Sequence, residues 1–219
     1  MSRVLPILFN TDMVRAILDR RKTVTRRVCK DGNDYTVPDM SFYDADKRTY
    51  AVHNYADKDH VDKLSLAERI CPICPGDILY VRETWYKDSG RYMYRADYSK
   101  KEKFYRNGKE IQMKWHPSIH MPKEAARIWL EVTDVRVERL QDITEEQAVK
   151  EGFQAGSFKY EGAVWGQEDT DEWTAKEEFA ELWNSTIKKS DLVRYGWEAN
   201  PWVWVIEFER CGKPKESEK

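Results

Sequence analysis

Apolar positions along this chain change period several times, and each change marks an element. Val4 to Phe9 is a short apolar run that predicts a strand. Asn10 or Thr11 then caps a helix whose Met13, Val14, Ile17 and Leu18 recur at helical spacing, ending near Asp19. Thr23 to Val28 is β-branched and predicts a second strand. Residues three apart on a regular strand face opposite ways, so Lys22 and Thr25 converge only across a turn or bulge. Pro75-Gly76-Asp77 turns into a strand from Ile78 to Thr84, where Ile78, Tyr80 and Arg82 alternate with Leu79, Val81 and Glu83. Arg91 to Arg95 and Lys103 to Trp115 predict further strands, the second folded at Asn107-Gly108.

A long strand follows from Ala126 to Leu140, whose register shifts once between Val132 and Val135. Thr144 with Gln147 forms a capping box, Ile143 staples against Ala148, and Gly152 suits the left-handed position that ends a helix over Glu145 to Glu151. A second box, Thr174 with Glu177, opens a helix with Phe179, Leu182, Trp183 and Ile187 on one face, and Trp202 to Phe208 is a final strand. Cys29 to Ile70 is polar and without sustained period, so it reads as an insertion or mobile segment with no core role. The pattern outlines one α+β domain over residues 1–210, with an insertion at about 29–74, a loop at about 153–172 and a disordered tail over 211–219.

Composition narrows the partners. The chain has 219 residues, enough for a core at 41% hydrophobic content, and its formal net charge of −2 argues against coating long nucleic acid, so any such contact is local. No apolar run nears the roughly 18 residues of a membrane span, and the N-terminus lacks the order of a secretory signal. A soluble, cytoplasmic protein is expected, with a monomer favoured and no membrane partner. Four cysteines, Cys29, Cys71, Cys74 and Cys211, are too scattered for a disulfide framework. Cys71-Pro72-Ile73-Cys74 has the spacing of half a zinc site, but no second local pair completes it. No metal and no cofactor are expected, with Cys71 and Cys74 as the weak metal candidates. Nine Trp and twelve Tyr exceed what a core requires, which suggests stacking on a planar ligand.

The densest chemistry lies at Leu18 to Arg27, where Arg20, Arg21, Lys22, Arg26 and Arg27 crowd Thr25. Cationic neighbours disfavour an ammonium, and a neutral amine can take a proton from a hydroxyl, so Lys22 and Thr25 form a candidate base and nucleophile. The other reading is a solvated or phosphate-binding surface. Glu151, in the last helical turn, sits against the negative dipole end, which raises a carboxylate's pKa toward a value useful for proton transfer; a solvated surface Glu is the alternative. Trp115, His116 and His120 suggest an aromatic and imidazole lining, or a loop that covers the fold, and Arg82 and Trp85 either read a base edge or only pack.

Arg21-Lys22-Thr23-Val24-Thr25 with Arg27, Pro75-Gly76-Asp77-Ile78-Leu79, Ile143-Thr144-Glu145 through Glu151, and Val205-Ile206-Glu207-Phe208 together resemble the ASCH domain superfamily. Tyr80 to Trp85, Trp115 to Pro122 and Trp197 to Trp202 are similar to blocks in its phage and prophage branch. The resemblance implies a PUA-like mixed β-barrel with flanking helices and insertions. Within the superfamily, small amidohydrolases that deacylate N4-acetylcytidine use a lysine, a threonine and a glutamate, which fall by motif on Lys22, Thr25 and Glu151. The general superfamily motif has a glycine two residues before the lysine, where this chain has Arg20, and often a glutamate where it has Thr25; the first departure bears on the tightness of the loop, and the second points toward the hydrolase branch. The implied reaction is acyl transfer on a nucleoside or short RNA, with Lys22, Thr25 and Glu151 catalytic. Arg21, Arg27, Arg82, Glu83, Trp85, Trp115, His116 and His120 are expected to bind substrate. Arg27 either stabilises an oxyanion or pairs with Glu83 or another buried carboxylate. A non-catalytic RNA-binding module is the alternative, and a ribonuclease the third reading.

Overall fold

Asn10 both stops the first strand and starts the first helix, because its side chain accepts from the Met13 N–H at 2.8 Å and satisfies a donor the helix leaves free. A computed structural model describes residues 2–30, 36–54, 65–154 and 174–214. In chain order the elements are β1 (Val4–Leu8), α1 (Thr11–Leu18), β2 (Val24–Val28), β3 (Thr36–Asp44), β4 (Thr49–Asn54), β5 (Ser65–Ile70), β6 (Ile78–Arg82), β7 (Trp85–Asp88), β8 (Arg91–Tyr94), β9 (Phe104–Arg106), β10 (Lys109–Ile111) and β11 (Trp129–Arg139). The helices α2 (Glu145–Lys150), α3 (Ala175–Thr186) and α4 (Leu192–Tyr195) precede β12 (Trp202–Cys211). The architecture is α+β, and it divides into two units: Met1–Arg20, Gly76–Val132 and Phe208–Lys219 form the first, and Arg21–Pro75 with Thr133–Glu207 the second.

In the first unit β1 pairs in parallel with β6, and β6 pairs antiparallel with the start of β11, Tyr80 opposite Trp129. Gly76 at φ 81 makes the turn into β6, and the buried Asp77 that follows accepts from Arg3 at 2.7 Å. Met121, Ala125, Ala126 and Trp129 make a core against Val4, Ile78, Tyr80 and Cys211. Cys211 therefore belongs to β12 rather than to the tail, while residues 215–219 lie outside the described residues. Trp85 to Tyr94 is a hairpin, β7 with β8, turned through Ser89 and Gly90 at positive φ. Asn107 and Gly108, at φ 52 and 73, join β9 to β10 as their sequence requires.

The second unit sets β12 antiparallel to β2, with Ile206 opposite Thr25 and Trp204 opposite Arg27. Val24, Val203 and Val205 bury one face of this pair against Leu140, Ile143, Ala148, Phe179 and Trp183. Both capping boxes form, and Ile143 and Ala148 share that core. Along β11 the buried positions change parity between Val132 and Val135, where the register shift was expected. The Cys29 to Ile70 stretch departs from expectation. Its described residues form an antiparallel sheet in the order β3-β4-β5, with Tyr50, Ala51 and Val52 all buried. Three consecutive buried residues mean that β4 is covered on both faces, so it carries no alternation to read. Residues 31–35 and 55–64 of that stretch, and 155–173 of the expected loop, lie outside the described residues.

Candidate functional site

The chain enters β2 through a tight turn. Arg20 stands at φ 63, the left-handed region that glycine occupies without steric cost and that other residues enter only with strain. Beyond it, Thr23 donates its N–H to the Lys150 carbonyl at 2.9 Å, so the C-terminal end of α2 lies along β2. Glu151 caps that helix, and Gly152 follows at φ 103 in the left-handed conformation. Two cations meet the carbonyls that a helix end leaves without partners: Lys22 Nζ donates to Glu151 O at 2.9 Å, and Arg21 donates to Gly152 O at 2.8 Å.

Lys22 also donates to Val24 O at 2.7 Å and to Glu151 Oε2 at 2.5 Å. Its three N–H groups thus have three acceptors, and both Lys22 and Glu151 are 2% exposed. Arg26 completes the cluster from the next position on the same face as Val24. Its guanidinium donates to Glu151 Oε1 at 3.3 Å, Glu138 Oε2 at 3.3 Å and Gln147 Oε1 at 2.9 Å. One carboxylate therefore holds two buried cations, one at each oxygen. Burial pushes the Lys22 amine below its ordinary 10.5; Glu151 pulls it back up, and Arg27 and Arg26 push it further down. Burial likewise lowers the half-buried Arg27 guanidinium against the pull of Glu151.

Thr25 is 1% exposed and pairs across from Ile206, on the face of β2 that Arg27 shares. Among the described residues no hydrogen bond joins its hydroxyl to the Lys22 amine. Arg27, Val28, Lys30, Pro72, Ile73, Trp204 and Ile206 line a pocket of about 270 Å3, and Thr25 is not part of its lining. Behind its Pro72-Ile73 wall the Cys71 thiol donates to Ile73 O at 2.8 Å and the Cys74 thiol to Cys71 O at 3.6 Å. Among the described residues no three His, Cys, Asp or Glu side chains gather as metal ligands.

The other expected binding residues lie in the first unit. Arg82 donates to the Met121 and Ile119 carbonyls and so ties down the loop that carries His120, which is itself exposed. Glu83 is buried and takes both nitrogens of a fork from Arg127, at 2.9 and 3.0 Å; burial raises its pKa and Arg127 lowers it. This pairing gives Glu83 a partner other than Arg27. Trp85 packs on His116 at 4.9 Å, His116 stacks on Tyr86 with rings 11° apart, and Trp115 meets Tyr86 edge-on at 6.4 Å.

The expected site residues thus fall into two groups, one in each unit. Lys22 and Glu151 meet, although 129 positions apart, and Trp85, Trp115 and His116 meet. Arg26, Glu138 and Gln147 were missed as site residues. Arg26 had a readable signal, since alternation in β2 puts it on the Val24 face; Gln147 was hidden because its capping-box role already explained it. No protein-family model, no curated protein and no solved structure matches this chain.

Proposed function

We propose that the chain is an ASCH-type protein with a PUA-like arrangement of strands, acting as an amidohydrolase on an N4-acylcytidine-like nucleoside. The observation that carries this reading is the 2.5 Å contact between Lys22 and Glu151, buried and drawn from the two separate chain segments of the second unit. It joins two of the three residues the chemistry requires. The left-handed Arg20 adds support, since it preserves the turn for which the superfamily uses glycine.

In the reaction, Lys22 passes one proton to Glu151 across their contact, and the neutral amine so formed, favoured by burial, takes the Thr25 proton while Thr25 Oγ1 attacks the amide carbonyl. Glu151 delivers the proton it received to the departing amine, which restores the Lys22 ammonium and the Glu151 carboxylate. Water then hydrolyses the Thr25 ester and returns the hydroxyl. Arg27, on the Thr25 face, is placed to meet the oxyanion. The pocket beside it lies just below the roughly 300–1,000 Å3 range of small-molecule sites, which favours a nucleoside over a polymer there. Burial of Lys22 and Arg26 also counts against a module whose 20–27 run simply contacts phosphates.

Incubation with N4-acetylcytidine, read as cytidine release, tests the reading. Thr25→Ala, Lys22→Ala and Glu151→Gln are each expected to lower kcat about a hundredfold or more. No turnover by the wild type removes the enzyme reading, and unchanged turnover in all three variants removes the assignment.

A further inference from the structure

Residues 85–123 hold ten Lys and Arg against four Asp and Glu, a net of +6 inside a chain of net charge −2. The same 39 residues carry eight aromatic rings. Two hairpins display this mixture, β7 with β8 and β9 with β10, and Arg106 links them by pairing with Asp88 at 3.0 Å. A core explains few of these rings. Tyr86, Tyr98, Phe104 and Trp115 are only half-buried, and Tyr105 is 63% exposed.

The rings form a connected series rather than scattered contacts. His116 stacks on Tyr86, Tyr86 meets Trp115, and Trp115 lies 5.8 Å from both Tyr98 and Phe104. Arg95 covers the Trp115 ring at 5.7 Å, and Lys87 sits over Tyr92 at 4.8 Å. Around the series, Arg91, Lys100, Lys101, Lys109 and Lys114 are exposed and have no ion pair among the described residues. Solvated lysines on an ordinary surface are interspersed with acids; here three of the four acids, Asp88, Asp97 and Glu110, are already taken by Arg106, Arg127 and Lys103, and the fourth, Glu102, accepts from Ser99.

We propose that this face of the first unit binds single-stranded nucleic acid, with the unpaired cations along the phosphates and the ring series stacking on successive bases. Unpaired bases offer a π-face of any sequence, whereas a duplex hides them, so the ring series selects a single strand and the cations supply the electrostatic part. The ligand is a polymer because the cations and rings are spread over two hairpins. The inference does not depend on the amide-hydrolysis reading and survives its failure.

The test is fluorescence anisotropy of the full chain with a labelled 12-nucleotide single-stranded RNA, the same sequence as DNA, and its duplex. Both single strands are expected to bind more tightly than the duplex, and the difference between RNA and DNA tells which sugar is preferred. Affinity should fall steeply between 50 and 200 mM salt, as release of condensed counterions requires. Trp115→Ala is expected to weaken binding about tenfold, the scale of losing one stacked base. Should Trp115→Ala fail to fold, the combined Lys100→Glu, Lys101→Glu and Lys114→Glu variant, altered only at exposed positions, is expected to abolish binding and flatten the salt dependence. Tighter binding to duplex, no binding to either strand at 50 mM salt, or full affinity in the charge-reversed variant would overturn the proposal. So would a polyglutamate competitor that displaces the RNA as well as unlabelled RNA does.

Discussion

Two basic segments of this chain look alike as composition and end in opposite environments. In residues 20–27, Lys22 and Arg26 are buried, and a single carboxylate, Glu151, holds both. In residues 85–123, five exposed cations have no ion pair among the described residues. The difference lies in what surrounds each backbone. β2 is flanked by β12 and by the end of α2, so a side chain on its inner face has nowhere to go but into the second unit. The β9-β10 hairpin pairs only with itself among the described strands, and its lysines stay solvated. Charge density alone therefore does not distinguish a buried ion cluster from a solvated cationic surface; the pairing of the strand that carries it does.

The sharpest break of this comparison is Glu151→Ala. It leaves Lys22 and Arg26 buried without their shared counter-charge, and a loss of about 3–5 kcal/mol is expected in denaturant unfolding. If the variant unfolds within ~0.5 kcal/mol of wild type, Glu151 is not the counter-charge that holds the two buried cations.

A second, smaller effect concerns pH. Because the folded-state pKa of Lys22 lies below 10.5, the unfolded chain binds a proton there that the folded chain does not, across the window between the two values. Stability contributed by this group is present above 10.5 and is lost as pH falls through the folded value. Unfolding measured from pH 8.5 to 10.5 is expected to show wild type gaining on Lys22→Met as pH rises. Parallel curves would mean that Lys22 keeps an ordinary pKa.

The least effect is expected at the other segment. Lys114→Glu, at an exposed position without an ion pair, should move the unfolding free energy by no more than ~0.5 kcal/mol. A larger loss would show that the lysine holds the hairpins together and would erase the contrast.

The elements that were legible in the sequence are those whose contacts are local. Asn10 reaches Met13, Thr144 reaches Gln147, and Asn107-Gly108 turns within two residues, so three or four letters contain the whole cause. The β3-β4-β5 sheet was not legible, because its strands have partners in both directions and β4 shows no polar face. The site divides in the same way. Glu151 was placed by its helix end and by family resemblance. The interaction of Arg26 with Glu138 and Gln147, more than a hundred positions away, leaves no local trace. Burial of a guanidinium also runs against what an arginine in a short basic run predicts.

The separation of Lys22 from Glu151 bears on the order in which the second unit assembles. Closing a loop of 129 residues costs ~4 kcal/mol of chain entropy on a logarithmic estimate, while the Thr144 box that starts α2 closes across three. The helix can therefore flicker into existence early, but its terminal carboxylate meets the lysine only once β2 and α2 have been brought together. Until then the chain carries both members of the buried ion pair and no contact between them.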